Sequence, residues 1–307
     1  MNNISTISVF FLSGLNETRN YRLPLFFLTL MCYFVVLFVN VCVILIIILN
    51  NDLHEPMYIL LCGFCMNSLY GTAGFYPKFL WDLLSPVHVI SYSGCLLQTQ
   101  VVYSFAVSDL SILTLMACDR YLAICRPLEY HSIMSKQRVI TLVCVFWLTP
   151  FWILAVNTIL TSRLKLCSPY LNRLICMNGS IVMLACFPAE TSLNSNAANV
   201  TIAIYFLHAA VIGWSYALVI KTCVSSVEDR KKFMQTCVPH LISLSTFAVT
   251  ILFDVIYIRF ENKNLPQSLK NFVSIEFLVI PPIMNPFIYG FKLTKIRNKI
   301  AVMIKKK

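Results

Sequence analysis

Seven long apolar runs separated by polar stretches set the pattern of this chain: residues 25–49, 57–76, 93–121, 139–161, 200–220, 233–258 and 272–291. Each holds about 20 residues or more, enough to cross a hydrocarbon core roughly 30 Å thick as a helix. The pattern predicts an all-α membrane protein, a seven-transmembrane helix bundle closed by a short C-terminal amphipathic helix. Residues 1–307 read as one domain: a polar extracellular tail over 1–22, the bundle over 23–291 and a basic cytoplasmic tail over 292–307. That tail suits an anionic inner leaflet.

Within the runs, the few polar residues carry the information. Leu25 to Leu49 has no charge, so its Asn40 should turn inward to a hydrogen-bond partner. Pro56 suits the first turn of the second helix. In the third run, Val102, Ala106, Asp109, Leu113, Met116 and Arg120 fall within roughly 40° of one line at helical periodicity. Asp109 and Arg120 therefore share a face, and a face with two ionisable groups is directed into protein rather than lipid. From Cys95 to Arg120 is roughly 37 Å of helix, which puts one end outside and the other in the cytosol. Thr201, Tyr205, Ile212 and Tyr216 line one face of the fifth run within about 60°. His208 lies off that stripe and reads as a packed or capped histidine. In the sixth run Pro239 should bend the helix, and His240, Phe247, Ile251 and Asp254 share a stripe. Asp254 reads either as facing a cavity or as an interfacial acid linked to Arg259. Pro281, Pro282 and Pro286 loosen the seventh helix, whose freed carbonyls need partners. Glu276 has no assignable partner.

Composition excludes a soluble domain: 58% of the residues are hydrophobic and 12% charged. The net charge of +11 is spread between apolar runs, so it reads as a topology signal and not as a nucleic-acid surface. Fifteen of the 24 Lys and Arg residues fall on the predicted inner side, which supports a multi-pass chain with the N-terminus outside and the C-terminus inside; the plasma membrane is the expected location. The leading tail lacks the marks of a cleaved signal peptide. It carries two glycosylation sequons, at Asn3 and Asn16. Cys95, Cys167, Cys176 and Cys186 lie on the outer side, where four cysteines allow three pairings and spacing does not choose among them. There is no phosphate loop, zinc-protease helix or nucleophilic triad, so no enzyme is expected.

The run Met116-Ala117-Cys118-Asp119-Arg120-Tyr121-Leu122-Ala123-Ile124-Cys125-Arg126-Pro127-Leu128-Glu129-Tyr130 resembles the inner end of the third helix of odorant receptors, a branch of the rhodopsin-like G-protein-coupled receptors. Four further stretches are similar to the same family: Leu53–Tyr58, the Ser215–Ile220 ending, the looser Lys232–Leu241 entry and Asn285-Pro286-Phe287-Ile288-Tyr289. Gly71–Lys78 resembles fish members. The resemblance implies a small, largely apolar odorant bound in the outer half of the bundle near Val102, Tyr103, Ala106, Thr201, Tyr205, Ile251 and Asp254. It implies coupling to a heterotrimeric G protein of the stimulatory type, raising cyclic AMP, through Asp119, Arg120, Tyr121, Tyr216, Asn285, Pro286 and Tyr289. It further implies disulfides Cys95–Cys176 and Cys167–Cys186.

Two departures matter. The wider class carries an aspartate in mid-span two where this chain has Ser68 after Asn67, and the family instead suggests a sodium site at Asp109 shared with Asn67, Ser68 and Asn285. A protonated Asp109 hydrogen-bonded to the same neighbours is the alternative, since burial penalises the charged form. No other cofactor is expected. The foot of span six is basic, so Asp119 must be the main restraint on Arg120. Val102 stands where the family's amine receptors need an acid, which disfavours a cationic ligand, Asp254 apart. The competing functions are a rhodopsin-like receptor for a non-odorant ligand and a transporter using Asp109, Asp254 and Glu276. An odd number of spans without paired broken helices counts against transport.

Overall fold

The computed structural model describes residues 7–15, 21–223, 237–238, 240–247, 249, 267–292 and 295–299. Its helices are α1 (Arg22–Leu49), α2 (Pro56–Ala73), α3 (Tyr76–Leu84), α4 (Tyr92–Cys125), α5 (Pro127–Ile133), α6 (Lys136–Ser162), α7 (Asn178–Val182), α8 (Ser192–Cys223) and α9 (Gln267–Lys292). The described residues between 237 and 249 are helical, as are 295–299. Among the described residues, α1, α4, α6 and α8 are each long and apolar enough to cross a membrane.

The bundle is built around α4, which packs against α2, α6 and α8. In its most apolar window 83% of the residues are buried, against 17% in α6. The more polar helix takes the centre and the greasier ones face outward, because lipid solvates apolar side chains and polar ones need protein partners. The third-run stripe was therefore too narrow a prediction: Val102 and the residues from Ser104 to Ala117 are buried on every side of α4. Close approach of α2 to α4 depends on Gly71, where an added Cβ would collide with the Phe105 ring. Asn40 turns inward as expected, donating to the Pro282 carbonyl at 2.9 Å. That carbonyl belongs to the proline-interrupted stretch of α9.

Several predicted boundaries are corrected. Span two ends at Ala73, and a second helix, α3, restarts over Tyr76–Leu84. Pro77 lacks the N–H that would have continued the ladder and sits in the first turn of α3. The inner loop after Tyr121 is helical, first as the end of α4 and then as α5. Helix α8 begins at Ser192 and not at Val200. Its polar first turns are tied to α6, with Asn194 donating to Thr161 Oγ1 at 3.0 Å. Side-chain pairing substitutes there for hydrophobicity.

The all-α expectation is also amended. The leading tail forms a strand, β1 (Val9–Leu12), between β2 (Val89–Ser91) and β3 (Tyr170–Leu171), in the order β2-β1-β3. β1 runs antiparallel to β2, with Phe10 opposite Ile90, and parallel to β3, with Phe11 opposite Tyr170. Phe10 is fully buried in a cluster with Cys95 and Cys176. Gly14 lies so close to the loop that a Cβ there would sit 2.7 Å from the Leu174 nitrogen. Asn271 of α9 donates to the Gly14 carbonyl at 2.5 Å. The tail thus forms part of the outer cover.

That cover includes a pH-sensitive contact. Arg22 donates from Nη2 to His88 Nε2 at 2.7 Å and from Nη1 to the Ser85 carbonyl at 3.1 Å, so His88 accepts with a bare ring nitrogen. Burial, and then the Arg22 charge, hold the imidazole below its ordinary value of 6.5, with Asp82 and Lys78 acting on it with opposite signs. A base whose folded value is depressed contributes stability present above its unfolded value and lost as the pH falls below it. Amides of residues 9–15 are expected to exchange faster, relative to intrinsic rates, at pH 5 than at pH 7.5. His88→Gln should flatten that dependence; an unchanged pH profile in the variant would assign it elsewhere.

Candidate functional site

Near the C-terminal end of α4, Asp119 is fully buried and Arg120 nearly so. Asp119 Oδ2 pairs with Arg120, whose Nε lies 3.0 Å away. The Tyr130 hydroxyl donates to the other oxygen, Oδ1, at 2.8 Å. The break at Arg126 and the short helix α5 carry Tyr130 back over the end of α4 and make this possible. Asp119 is therefore satisfied on both oxygens and holds Arg120 against the bundle, the restraint expected from the basic foot of span six. Tyr121 lies on the neighbouring face, its ring tilted against that of Trp214 of α8 with centroids 5.7 Å apart.

Across from this pair, Tyr216 of α8 is hydrogen-bonded through its hydroxyl to Nδ1 of His240, and the two rings stack at 5.6 Å. Ser243 donates to Asn285 Oδ1 at 2.5 Å, linking the sixth segment to α9. Tyr289 is buried in the inner cluster with Leu113 and Met116. Around the Asp119–Arg120 pair of α4, the Tyr130–Asp119, Tyr216–His240 and Ser243–Asn285 ties each join two helical segments. His240 and Tyr130 were in view in the sequence without a role: the first lay on a stripe, the second closed the quoted motif, and no spacing rule links either to its partner.

Midway up, Asn67 donates to Asp109 Oδ1 at 2.6 Å and to the Phe105 carbonyl at 3.0 Å, and accepts from Trp147 Nε1 at 2.9 Å. One side chain thereby ties α2, α4 and α6. Asp109 is fully buried, and its Oδ2 has no partner among the described residues. Ser68 donates to the Phe64 carbonyl of its own helix, and Asn285 is engaged with Ser243. Of the four residues nominated for sodium, the structure brings together Asp109 and Asn67.

In the outer half, Val102 and Ala106 are buried in an apolar cluster with Phe105, Phe277 and Leu278, closed from outside by Leu174, Ile175 and Met177 of the loop and by Leu15 of the tail. Thr201 accepts from Asn157 Nδ2 at 3.2 Å and donates to the Ala197 carbonyl at 3.1 Å. Tyr103 and Tyr205 are half-buried. His208 is capped, with Nδ1 at 2.7 Å from the Ile204 carbonyl and Nε2 at 3.2 Å from Ser111 Oγ. Glu276 is buried with Oε1 unpartnered among the described residues. Asn3, Asn16, Pro239, Ile251, Asp254 and Arg259 lie outside the described residues. Both disulfides, Cys95–Cys176 and Cys167–Cys186, are formed.

The helical residues 295–299 dock on the turn between α1 and α2. Lys295 pairs with Glu55 at 2.5 Å and Lys299 with Asp52 at 3.1 Å, around the buried Ile296. The Lys299 ammonium holds the Asp52 carboxyl below its usual range.

A helical membrane bundle with a polar centre, an apolar outer chamber and an arginine restrained at its inner end defines a receptor-type multi-pass membrane protein. The chain belongs to the olfactory receptor family, whose model matches residues 28–307. It is 34% identical over 290 residues to the human protein Olfactory receptor 11H6 (93% of this chain, 86% of the relative) and 31% identical over 312 residues to mouse Olfactory receptor 4B13 (100% and 99%). It is 30% identical to mouse Olfactory receptor 6E1 over 97% of this chain and 95% of that one. Members of this family are G-protein-coupled receptors and not enzymes. These relatives are mammalian, and the likeness of residues 71–78 to fish members rests on that motif alone.

Proposed function

We propose that the chain is an odorant-gated receptor with seven crossings, in the plasma membrane with its N-terminus outside and its tail on the inner leaflet. A small, largely apolar ligand binds beside Val102 and Ala106 and activates a stimulatory G protein, raising cyclic AMP. The observation that carries this reading is the inner restraint: Arg120 is paired with an Asp119 that Tyr130 also holds. A ligand shifts such an equilibrium only by binding one helix arrangement better than the other. In the active arrangement the inner end of the sixth helix moves away, the Tyr216–His240 tie opens, and Arg120, Tyr216 and Tyr289 face the Gα subunit. The apolar lining of the outer cluster supports a hydrophobic ligand oriented by few hydrogen bonds. For sodium the fit is partial, resting on Asp109 Oδ2 alone, and no step of this mechanism passes through an ion.

Arg120→Ala, expressed with a cyclic-AMP reporter and matched for surface level, is expected to lose about tenfold or more of the odorant-evoked signal, the scale of a coupling free energy near 1.4 kcal/mol. A full signal in the variant, or tracer flux without G protein, would remove the receptor reading in favour of transport through the acidic residues.

A further inference from the structure

Outside the bundle interior, the outer ends of α2, α3 and α4 and strand β2 enclose a crevice of about 560 Å3. Along α4 it runs from Gly94 to Val101, about 10 Å of helix starting within the first turn of α4. Its lining is graded. Ala73, Val101 and the ring of Tyr70 form the apolar wall, Leu97 lies at the rim, and Lys78 and Ser91 are at the polar end. The rim is open to the surroundings: Trp81 is 71% exposed and Leu97 65% exposed. A tryptophan in that position is a headgroup-level anchor.

The polar groups of the crevice are already used, part of the Lys78 ammonium excepted. Gln98 accepts from the Cys176 amide at 2.9 Å and donates to the Gly74 carbonyl at 3.2 Å. The Tyr70 hydroxyl is bonded to Ser104 Oγ at 2.8 Å. Lys78 has three donors and spends one on Asp82, a carboxylate buried beneath it. Two ammonium hydrogens therefore remain at the polar end of an apolar slot.

We propose that this crevice is a binding site for an outer-leaflet glycerophospholipid, separate from the odorant chamber. The phosphate accepts from Lys78, and the first part of an acyl chain lies along Leu97 and Val101. A lysine serves as a point charge for phosphate, and basic pockets between helices hold lipid headgroups by the same attraction. Asp82 offsets part of that charge, so the apolar slot is needed for retention; an anion without a tail has only Lys78 to hold it.

The test uses the full chain in lipid nanodiscs containing a phosphatidylcholine with a diazirine in its acyl chain, with adducts mapped by mass spectrometry. Labelling is expected to concentrate within residues 70–101 and to fall about fivefold or more in Leu97→Trp, which fills the slot from its exposed rim, and in Lys78→Ala. Ile159→Trp, on the exposed face of α6, controls for bulk and should leave the pattern unchanged. Adducts spread over α1 and α6 in proportion to exposure, or undiminished in both crevice variants, would overturn the proposal. So would displacement of the label by excess inorganic phosphate, which would make this an anion site and not a lipid site.

Discussion

Replacing Cys176 with serine is expected to strip nearly all correctly folded receptor from the cell surface, while Cys186→Ser leaves a substantial fraction. The two disulfides close very different loops, with sequence separations of 81 and 19. In the loop-entropy account the first constrains the unfolded chain by about 4.5 kcal/mol and the second by about 3 kcal/mol. Both figures are large beside total stabilities of about 5–15 kcal/mol, and placement separates them further. Cys176 is buried against α4, its amide held by Gln98 and its carbonyl by Thr99 at 3.4 Å. Phe10, Leu171 and Ile181 pack on that same disulfide, so its loss unseats the strand of the tail as well as the loop. Cys167 and Cys186 fasten a hairpin of the loop to itself, and backbone bonds from Cys167 to Leu184 and from Cys186 to Lys165 remain without the bridge. Surface immunolabelling of Cys95→Ser, Cys176→Ser and the double variant is the measurement. The double variant should match either single, because removing one partner already breaks the bond. A larger loss from Cys186→Ser would reverse the ranking.

Most of the apolar helices among the described residues, and the pairing of Arg120 with Asp119, were legible in the sequence, and the reason is physical. Bilayer thickness fixes the length of an apolar run, and an arginine beside an acid at the end of such a run has few places to go. The resemblance of residues 116–130 supplied the pairing of cysteines, which spacing alone left open, and the structure has both bridges. What stayed hidden depended on partners distant in the chain. Residues 7–15 read as a polar tail because their strand exists only by pairing with β2 and β3, contributed by loops about 80 and 160 positions away in a register no local pattern encodes. The early start of α8 was missed because Ser192 to Ala197 is polar, and its helix is bought by Asn194 reaching Thr161. The stripe on α4 predicted one inward face, whereas the central helix of a bundle has no lipid face to contrast with it. No local pattern in span four pointed to Trp147, whose indole N–H meets Asn67.

That last contact defines the second large effect. Asn67→Ala is expected to lower stability by about 2–3 kcal/mol, read as a clear drop in the thermal midpoint of purified receptor followed with a thiol-reactive fluorophore. The substitution leaves two groups without partners, the half-buried Trp147 indole N–H and the fully buried Asp109 Oδ1. Unsatisfied buried groups cost about 1–3 kcal/mol each. Polar bonds within membranes measure nearer 0.6 kcal/mol on average, because a loosened helix finds substitutes, and this places the sum toward the low end. Asn67 is not easily substituted, however: Gly71, one turn along α2, lets α2 lie against Phe105, and neither helix can rotate to offer another donor without moving that contact. Adding Trp147→Phe removes the stranded donor while keeping a ring for the edge contact with Tyr70 and the stack on Phe151. The double variant should therefore regain about 1 kcal/mol relative to the sum of the singles, the size of coupling expected for residues sharing one network. Strict additivity would mean that Asn67 and Trp147 stabilise the bundle independently, and that the tie between α2, α4 and α6 is not held through the asparagine.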